Sequence, residues 1–220
     1  MRLVAPSMLA ADFLHLEESA NIVNKWADIF HMDIMDGTFV PNISFGFPIV
    51  EAVARIAEKP LDVHLMIVHP EKYVERFAKA GAAMISFHAE AAAADGSDPG
   101  EILDLIRSFG CKAGLVINPD IPVETLYPYL GKADFVLIMS VFAGFGGQKF
   151  IEATYDRIRA VKAEIDRQGA GCLIEVDGGV GAGNADALAE AGVSIFVAGS
   201  SVFRSSDPEA VIAAIRGELD

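Results

Sequence analysis

The chain repeats one pattern from end to end, in which a short apolar segment precedes a longer segment with helical spacing. The apolar segments, which have the composition of β-strands, lie at 3–8, 28–35, 61–67, 83–89, 112–118, 135–140, 172–177 and 194–199. Helical patterns separate them, as at 47–59, 71–81 and 152–169. Strand–helix alternation without a break in composition predicts crossover connections and a parallel sheet. Eight such units in 220 residues predict an α/β fold, a (β/α)8 TIM barrel that forms a single domain over residues 1–220. An open doubly wound sheet is the alternative, because periodicity alone does not show closure.

Composition restricts the classes of protein further. Hydrophobic residues make up 52% of the chain, which is enough for a large core, yet no apolar run approaches the roughly 20 residues of a membrane span. The first residues lack the layout of a signal peptide. Cys111 and Cys172 stand beside glycines and apolar residues, as buried reduced thiols do, so we expect a cytoplasmic protein. A disulfide between the two is the alternative.

The net charge of −14 argues against a nucleic-acid partner, whose affinity depends on lysine and arginine neutralising phosphates. It also constrains any small anionic ligand. Such a ligand must be attracted locally, against the sign of the overall charge.

Polar residues stand where the predicted strands end. His31 and Asp33 alternate on one face of the second strand, His64 lies on the third, and Asp177 ends the seventh. Because strand ends converge on one rim of a barrel, we expect these four side chains to meet. Two imidazoles and two carboxylates suit a divalent transition metal such as Zn²⁺, Fe²⁺, Mn²⁺ or Co²⁺. The alternative is four separate buried polar groups, each satisfied by its own neighbours.

Two further sets share this rim. His88 and Glu90, at the end of the fourth strand, are interpreted as groups behind the ligands or at the rim. Met35, Met66 and Met139 also stand at strand ends. They either fill the core or form an apolar collar that lowers the local dielectric around the polar cluster.

Glycine-rich loops follow the last three strands. Glycines allow backbone N–H groups to approach an anion closely, and the loops after strands 7 and 8 often hold a phosphate in this fold. These loops therefore predict a phosphate site that needs no lysine. The first loop, 142–150, has a second interpretation as a lid with glycine hinges. The loops contribute Gly144, Gly146, Gly147, Gly178, Gly179, Gly199 and Ser200.

Several motifs together resemble the ribulose-phosphate 3-epimerase family over about residues 3–207. They are PSMLAADF, HMDIMDGTFVPNISFG, LDVHLMI, HPEKYVERFAKAGA, GFGGQKFI, IEVDGGV and FVAGSSVF. The resemblance implies a (β/α)8 barrel enzyme, an isomerase that interconverts D-ribulose 5-phosphate and D-xylulose 5-phosphate with one divalent metal, Zn²⁺ first among the candidates. It also implies a role in carbohydrate metabolism and the pentose phosphate pathway, and a homo-oligomer.

The resemblance also assigns roles by position. The metal ligands would be His31, Asp33, His64 and Asp177, and Asp33 and Asp177 would also form the acid/base pair. Proton transfer at C3 would pass through a metal-stabilised enediolate. Substrate-binding residues would be Ser7, His64, the methionines Met35, Met66 and Met139, the loop residues Gly144, Phe145, Gly146 and Gly147, and Gly178, Gly179, Gly199 and Ser200.

One departure from the family pattern bears on the substrate. The family usually has Asn-Pro or Asp-Pro before GFGG, where this chain has Phe142-Ala143. This change keeps D-allulose 6-phosphate 3-epimerase as the alternative function. From other classes, a metal-free lyase or synthase of the phosphate-binding barrel group and a non-catalytic sugar-phosphate binding protein are the rivals. Such lyases and synthases usually use a lysine or glutamate at strand ends.

Overall fold

The computed structural model describes residues 2–94 and 96–218. The apolar segments form a parallel eight-stranded sheet, and all eight predicted strands are confirmed. The strands are β1 (Leu3–Ala5), β2 (Phe30–Met35), β3 (Leu61–Met66), β4 (Ala82–His88), β5 (Lys112–Ile117), β6 (Phe135–Met139), β7 (Leu173–Asp177) and β8 (Ile195–Val197).

The sheet curls until its two edges meet. Its strands follow one another in chain order from β2 to β8, and β8 then pairs with β1. Beyond the end of β1, a parallel bridge joins Ser7 to His31, and the His31 N–H donates to Pro6 O at 3.2 Å. This order and this contact define a nearly closed barrel, so the open doubly wound alternative is wrong.

Helices pack around the barrel as the alternation predicts. On α6 the apolar stripe of Ile158, Val161 and Ile165 is buried against the strands. The helices are α1 (Leu16–Trp26), α2 (Phe47–Ala54), α3 (Val74–Lys79), α4 (Ala89–Ala94), α5 (Pro99–Ser108), α6 (Thr154–Gln168), α7 (Ala185–Ala191), α8 (Ser200–Phe203) and α9 (Pro208–Arg216).

The fifth crossover differs from the regular pattern. Between β5 and β6 the chain forms two 3₁₀ turns, Val123–Thr125 and Tyr127–Tyr129, in place of an α-helix. Pro122 and Pro128 explain this, because proline lacks the N–H that a helix interior needs and restricts the residue before it. The barrel therefore has eight strands but no α-helix after its fifth.

The cysteines and the helices agree with the composition. Cys111 and Cys172 are buried free thiols, and no disulfide joins them. Burial raises the pKa of Cys172 to about 12, so the thiol stays protonated and unreactive. No helix in the described part of the chain has the length and apolarity that crossing a membrane requires.

The lower barrel interior depends on one missing side chain. Phe135 is buried in a cluster with Met84, Ile29 and Ile195, and its ring lies over Gly114 of the neighbouring strand. A Cβ built on Gly114 would lie 2.3 Å from the ring carbon Cζ of Phe135. Glycine at 114 is therefore what allows Phe135 to fill the barrel.

We expect Gly114→Ala to lower the free energy of unfolding by about 1–3 kcal/mol, because the ring and the strand must move apart in a packed interior. Chemical denaturation measures the change. Gly131→Ala is the matched control, since nothing lies within 4 Å of a Cβ there. Equal stabilities for the two variants would contradict this account of the interior.

Candidate functional site

The strand register brings the polar residues together in layers. On β2 and β3, His31 pairs with Asp62, Asp33 with His64, and Met35 with Met66. Residues paired across neighbouring strands share a face, and alternate residues of one strand do too. All six side chains therefore point into the barrel, and all six are buried.

The upper polar layer centres on one oxygen atom of Asp33. Its Oδ1 lies 3.2 Å from His64 Nδ1 and 3.3 Å from His31 Nε2. Asp177, at the end of β7, completes the group, and one ligand atom from each of the four residues lies within 4.8 Å of the others. The structure thus assembles the four predicted residues into a potential site for a divalent metal.

The hydrogen bonds of His31 fit a metal ligand. Its Nδ1 lies 2.7 Å from Asp62 Oδ2, so the N–H of that nitrogen donates a hydrogen bond to a carboxylate. Nε2 makes no hydrogen bond among residues 2–94 and 96–218, although it is fully buried and faces Asp33 Oδ1. If His31 were neutral, a lone pair on Nε2 would face a carboxylate oxygen, which is unfavourable, so this nitrogen needs either a proton or a metal cation beside it.

The ionisation of these groups follows from burial and mutual charge. Burial opposes the charged form of His31, but Asp33 and Asp62 outweigh it and raise the pKa of His31 well above its ordinary value. For His64 burial dominates and lowers its pKa to about 4. Burial alone would raise the pKa of Asp33, but His31 and then His64 shift it well below its ordinary value. Burial and the charge of Asp33 raise the pKa of Asp177 to about 7.

A lower acidic layer supports the site, and sequence reasoning assigned it no role. Glu175 of β7 lies 3.6 Å from His31 Nδ1, and together with Asp62 it forms a second buried group around that histidine. Burial, followed by the charge of Asp62, raises the pKa of Glu175 to about 8. A signal was present, because Asp62 and His64 alternate on one face of β3, as Glu175 and Asp177 do on β7.

Ser7 and Asp36 both lie near strand ends, but only Ser7 contacts the polar cluster. The Ser7 hydroxyl donates to Asp33 Oδ2 at 2.5 Å, so Ser7 orients this carboxylate from the opposite side to the imidazoles. Asp36 does not join the cluster. It accepts the N–H groups of Thr38 and Phe39 at 2.7 and 2.8 Å, as expected for a turn residue.

Above the polar layer lies a cavity of about 310 Å³. Asp33 and Asp177 reach it, whereas His31 and His64 are fully buried and do not line it. Met35 and Met66 pack with Val40 at its wall, and Met139 packs with Val141. The other predicted residues that line the cavity are Ser7, Gly144, Phe145, Gly146, Gly147, Gly178, Gly179, Gly199 and Ser200.

One end of the cavity is lined by backbone. Gly179 has φ +64°, and a Cβ on it would lie 2.8 Å from the backbone nitrogen of Phe150. The N–H groups of Gly179 and Gly199 donate to no protein acceptor in the described ranges. They are available to an anion in the cavity.

A cation that sequence reasoning missed stands at the same end. Arg204 follows α8 and is the one lysine or arginine among the described residues lining the cavity. Its side chain is exposed and forms no ion pair within residues 2–94 and 96–218. The spacing of four from Ser200 to Arg204, about one helical turn, was a usable signal.

The loop after β6 is held at two points near its start. Ala143 N–H donates to Asn118 Oδ1 at 3.0 Å, and Asn42 Nδ2 donates to Gly144 O at 2.9 Å. A proline at 143, usual in the resembled family, would lack the first donor. This hydrogen bond therefore holds the backbone at a point where the family's proline could not donate. The role of 142–150 as a lid stays a prediction.

The fold and the site together define a (β/α)8-barrel enzyme with carboxylates and imidazoles at the carboxyl ends of its strands, under a glycine-lined cavity. The chain belongs to the Ribulose-phosphate 3 epimerase family, whose model matches residues 3–203, and it is an isomerase. It is 47% identical over 216 residues to the ribulose-phosphate 3-epimerase of Bacillus subtilis, covering 97% of this chain and 98% of that protein. It is 48% identical over 214 residues to the ribulose-phosphate 3-epimerase of Synechocystis sp., and the match covers 97% of this chain and 92% of that protein.

Solved structures confirm the fold. A 3-hexulose-6-phosphate synthase superposes with TM-score 0.66 at 17% identity, covering all of both chains. KGPDC from Streptococcus mutans superposes with TM-score 0.72 at 13% identity, covering 99% of this chain and 97% of that one. At such identities the likeness concerns architecture alone, so the rival reading as a synthase or lyase gains nothing from it.

We expect chelator-treated protein to bind one divalent cation per chain, measured by titration calorimetry. His31→Gln should weaken binding by more than the roughly 10- to 100-fold that loss of an outer-shell partner produces, because it removes a nitrogen ligand. His15→Gln is the control, since that histidine is exposed and pairs with Asp12. Wild-type affinity in folded His31→Gln protein would exclude this site.

Proposed function

We propose that the protein interconverts D-ribulose 5-phosphate and D-xylulose 5-phosphate by proton transfer at C3 between two carboxylates. The observation that carries the proposal is that Asp33 and Asp177 reach one cavity from different strands, β2 and β7. Membership of the epimerase family supports the substrate pair. Epimerisation next to a ketone needs such a pair, because a proton must leave one face of the carbon and return to the other.

The two aspartates have unlike surroundings, which an acid–base pair requires. Asp33 accepts a hydrogen bond from Ser7 and faces two imidazoles, whereas Asp177 is half-buried at the end of its strand. One carboxylate takes the proton as the C3–H bond breaks. The other, protonated, delivers its proton to the opposite face. The electron pair of the broken bond passes into the enediolate of the sugar and returns when the new C–H bond forms.

A divalent cation held by His31, Asp33, His64 and Asp177 would supply Lewis-acid stabilisation of the charge that develops on the sugar oxygens. Two nitrogen and two carboxylate ligands suit Zn²⁺, which we propose as the native metal, with Fe²⁺, Mn²⁺ and Co²⁺ as alternatives. Elemental analysis of protein purified without added metal decides among them. The methionine wall around the carboxylates lowers the local dielectric, which strengthens these electrostatic effects.

The phosphate of the substrate would lie at the backbone-lined end. There Gly179, Gly199 and Ser200 line the cavity, and Arg204 adds one positive charge. Amides and a single arginine thus supply the local attraction that a protein of net charge −14 needs for an anionic substrate.

D-Allulose 6-phosphate 3-epimerase activity is the second candidate, because Phe142 and Ala143 both line the cavity and depart from the usual pentulose-phosphate pattern. The kcat/KM values for the two ketose phosphates decide between them. We also propose a cytoplasmic location and a homo-oligomeric state, which stay predictions from the sequence.

We expect Asp33→Asn and Asp177→Asn each to lose epimerase turnover by about two to four orders of magnitude, since each removes one proton carrier. Solvent deuterium exchange sharpens the measurement. A variant that keeps one base should still exchange the C3 proton of one epimer without forming the other.

Asp156→Asn, at an exposed aspartate of α6 that pairs with Arg159, is the control and should keep near-normal turnover. Near-normal epimerisation by folded Asp33→Asn or Asp177→Asn protein would remove that aspartate from the pair.

We expect Arg204→Ala to raise KM for the sugar phosphate roughly threefold to tenfold with kcat little changed, because one exposed charge pair contributes about 1 kcal/mol. The effect should shrink as ionic strength rises. Arg204→Lys should keep most of the affinity. Arg159→Ala, which removes an exposed arginine of α6, is the control, and an Arg204→Ala enzyme matching it would show that the phosphate is held without Arg204.

A further inference from the structure

A buried chain of hydrogen bonds continues from His64 away from the cavity. His64 Nε2 lies 3.0 Å from His88 Nε2, and His88 Nδ1 lies 3.0 Å from Glu90 Oε1. Both imidazoles are fully buried. Their centroids are 5.1 Å apart while the facing nitrogens are 3.0 Å apart, so the rings meet edge to edge, as an N–H···N bond requires.

Glu90, at the far end of this series of hydrogen bonds, determines which atom donates in each of them. Glu90 Oε1 accepts both the backbone N–H of Asn118, at 3.1 Å, and its side-chain amide, at 2.7 Å. This oxygen is therefore an acceptor, and His88 donates to it from Nδ1 at 3.0 Å, a shorter contact than the 3.5 Å between His88 Nδ1 and the amide nitrogen of Asn118. Ala143 N–H reinforces the arrangement, because it donates to Asn118 Oδ1 and so keeps the amide nitrogen of Asn118 turned toward Glu90.

The proton positions follow in order. The 3.0 Å contact between the two Nε2 atoms holds one proton, so one of these nitrogens donates and the other accepts. An imidazole that binds a metal is neutral and carries a single N–H. With its proton on Nδ1, His88 accepts at Nε2, so His64 donates from its own Nε2. The remaining nitrogen of His64, Nδ1, then carries a lone pair and lies 3.2 Å from Asp33 Oδ1.

We propose that Glu90 and His88 are positioning residues that fix His64 in the tautomer whose Nδ1 lone pair faces the metal site. The inference rests on the metal site of the proposed function. Asp62 does the same for His31 through one hydrogen bond, at the opposite nitrogen. For His64 the carboxylate acts through a second imidazole, because His64 Nε2 contacts His88 and not a carboxylate.

The tautomers are measured directly by two-bond ¹H–¹⁵N correlation spectra of metal-free protein labelled on histidine. The chain has five histidines, so five ring patterns are expected, and His64→Gln identifies the one that disappears. Wild-type His64 should carry its proton on Nε2 and His88 on Nδ1. A proton on Nδ1 of His64 in the metal-free wild type would overturn the proposal without reference to any variant.

Variants at Glu90 test the cause. Glu90→Met removes the acceptor and should populate the other tautomer of His64 and weaken Zn²⁺ binding by roughly 10- to 100-fold, measured by competition with a chromophoric chelator. Glu90→Gln keeps an acceptor oxygen, so it should retain the wild-type tautomer and lose less affinity. Glu164→Met, at a largely buried carboxylate of α6, is the control and should change neither.

Folded Glu90→Met protein with the wild-type tautomer and wild-type Zn²⁺ affinity would also overturn the proposal. The spectra need no turnover and no metal. They therefore remain decisive even where epimerase assays fail, and the two failures are distinguishable.

Discussion

The site depends on one buried carboxylate, Asp33, that requires positive charge beside it. Asp33 is almost fully buried between two imidazoles whose outer nitrogens are each committed to other groups, His31 to Asp62 and His64 to His88. Uncompensated, such an arrangement is unfavourable in a low-dielectric interior. Asp62, Glu175 and Asp177 lie beside this group and make a nearby positive charge still more favourable. The barrel thus creates a strong local preference for a cation at one point above its core.

This preference for a cation persists because the strands that carry Asp33 and His64 are held rigidly in the sheet. Asp33 and His64 are paired by strand register, and β2 is joined to the end of β1 through Ser7, which also donates to Asp33. Groups held on neighbouring strands cannot move apart to relieve repulsion without breaking the sheet. Sites on strands are held more precisely than sites on loops for this reason.

The sequence predicted the barrel, its eight strands and the four residues of the upper polar layer, because alternation and strand-end position are local properties of the chain. It did not predict the loss of the fifth helix, although Pro122 and Pro128 were visible, since regular alternation favoured a regular unit. The roles of Asp62 and Glu175 depend on register between strands, and that of Asn118 on a contact with Ala143 that spans 25 residues. Arg204 was missed although its spacing of four from Ser200 was a usable signal, because an exposed arginine after a helix is usually only solvated.

The hydrogen bond from Ala143 to Asn118 has an evolutionary consequence. It makes residue 143 part of two features, the loop above the cavity and the buried chain behind His64. A change to proline at 143 would therefore alter both the loop and the buried hydrogen bonds, and its effect would depend on the residues at 118 and 90. Sequence comparisons within the family should accordingly treat these three positions as epistatic, with the acceptable residue at one set by the residues at the other two.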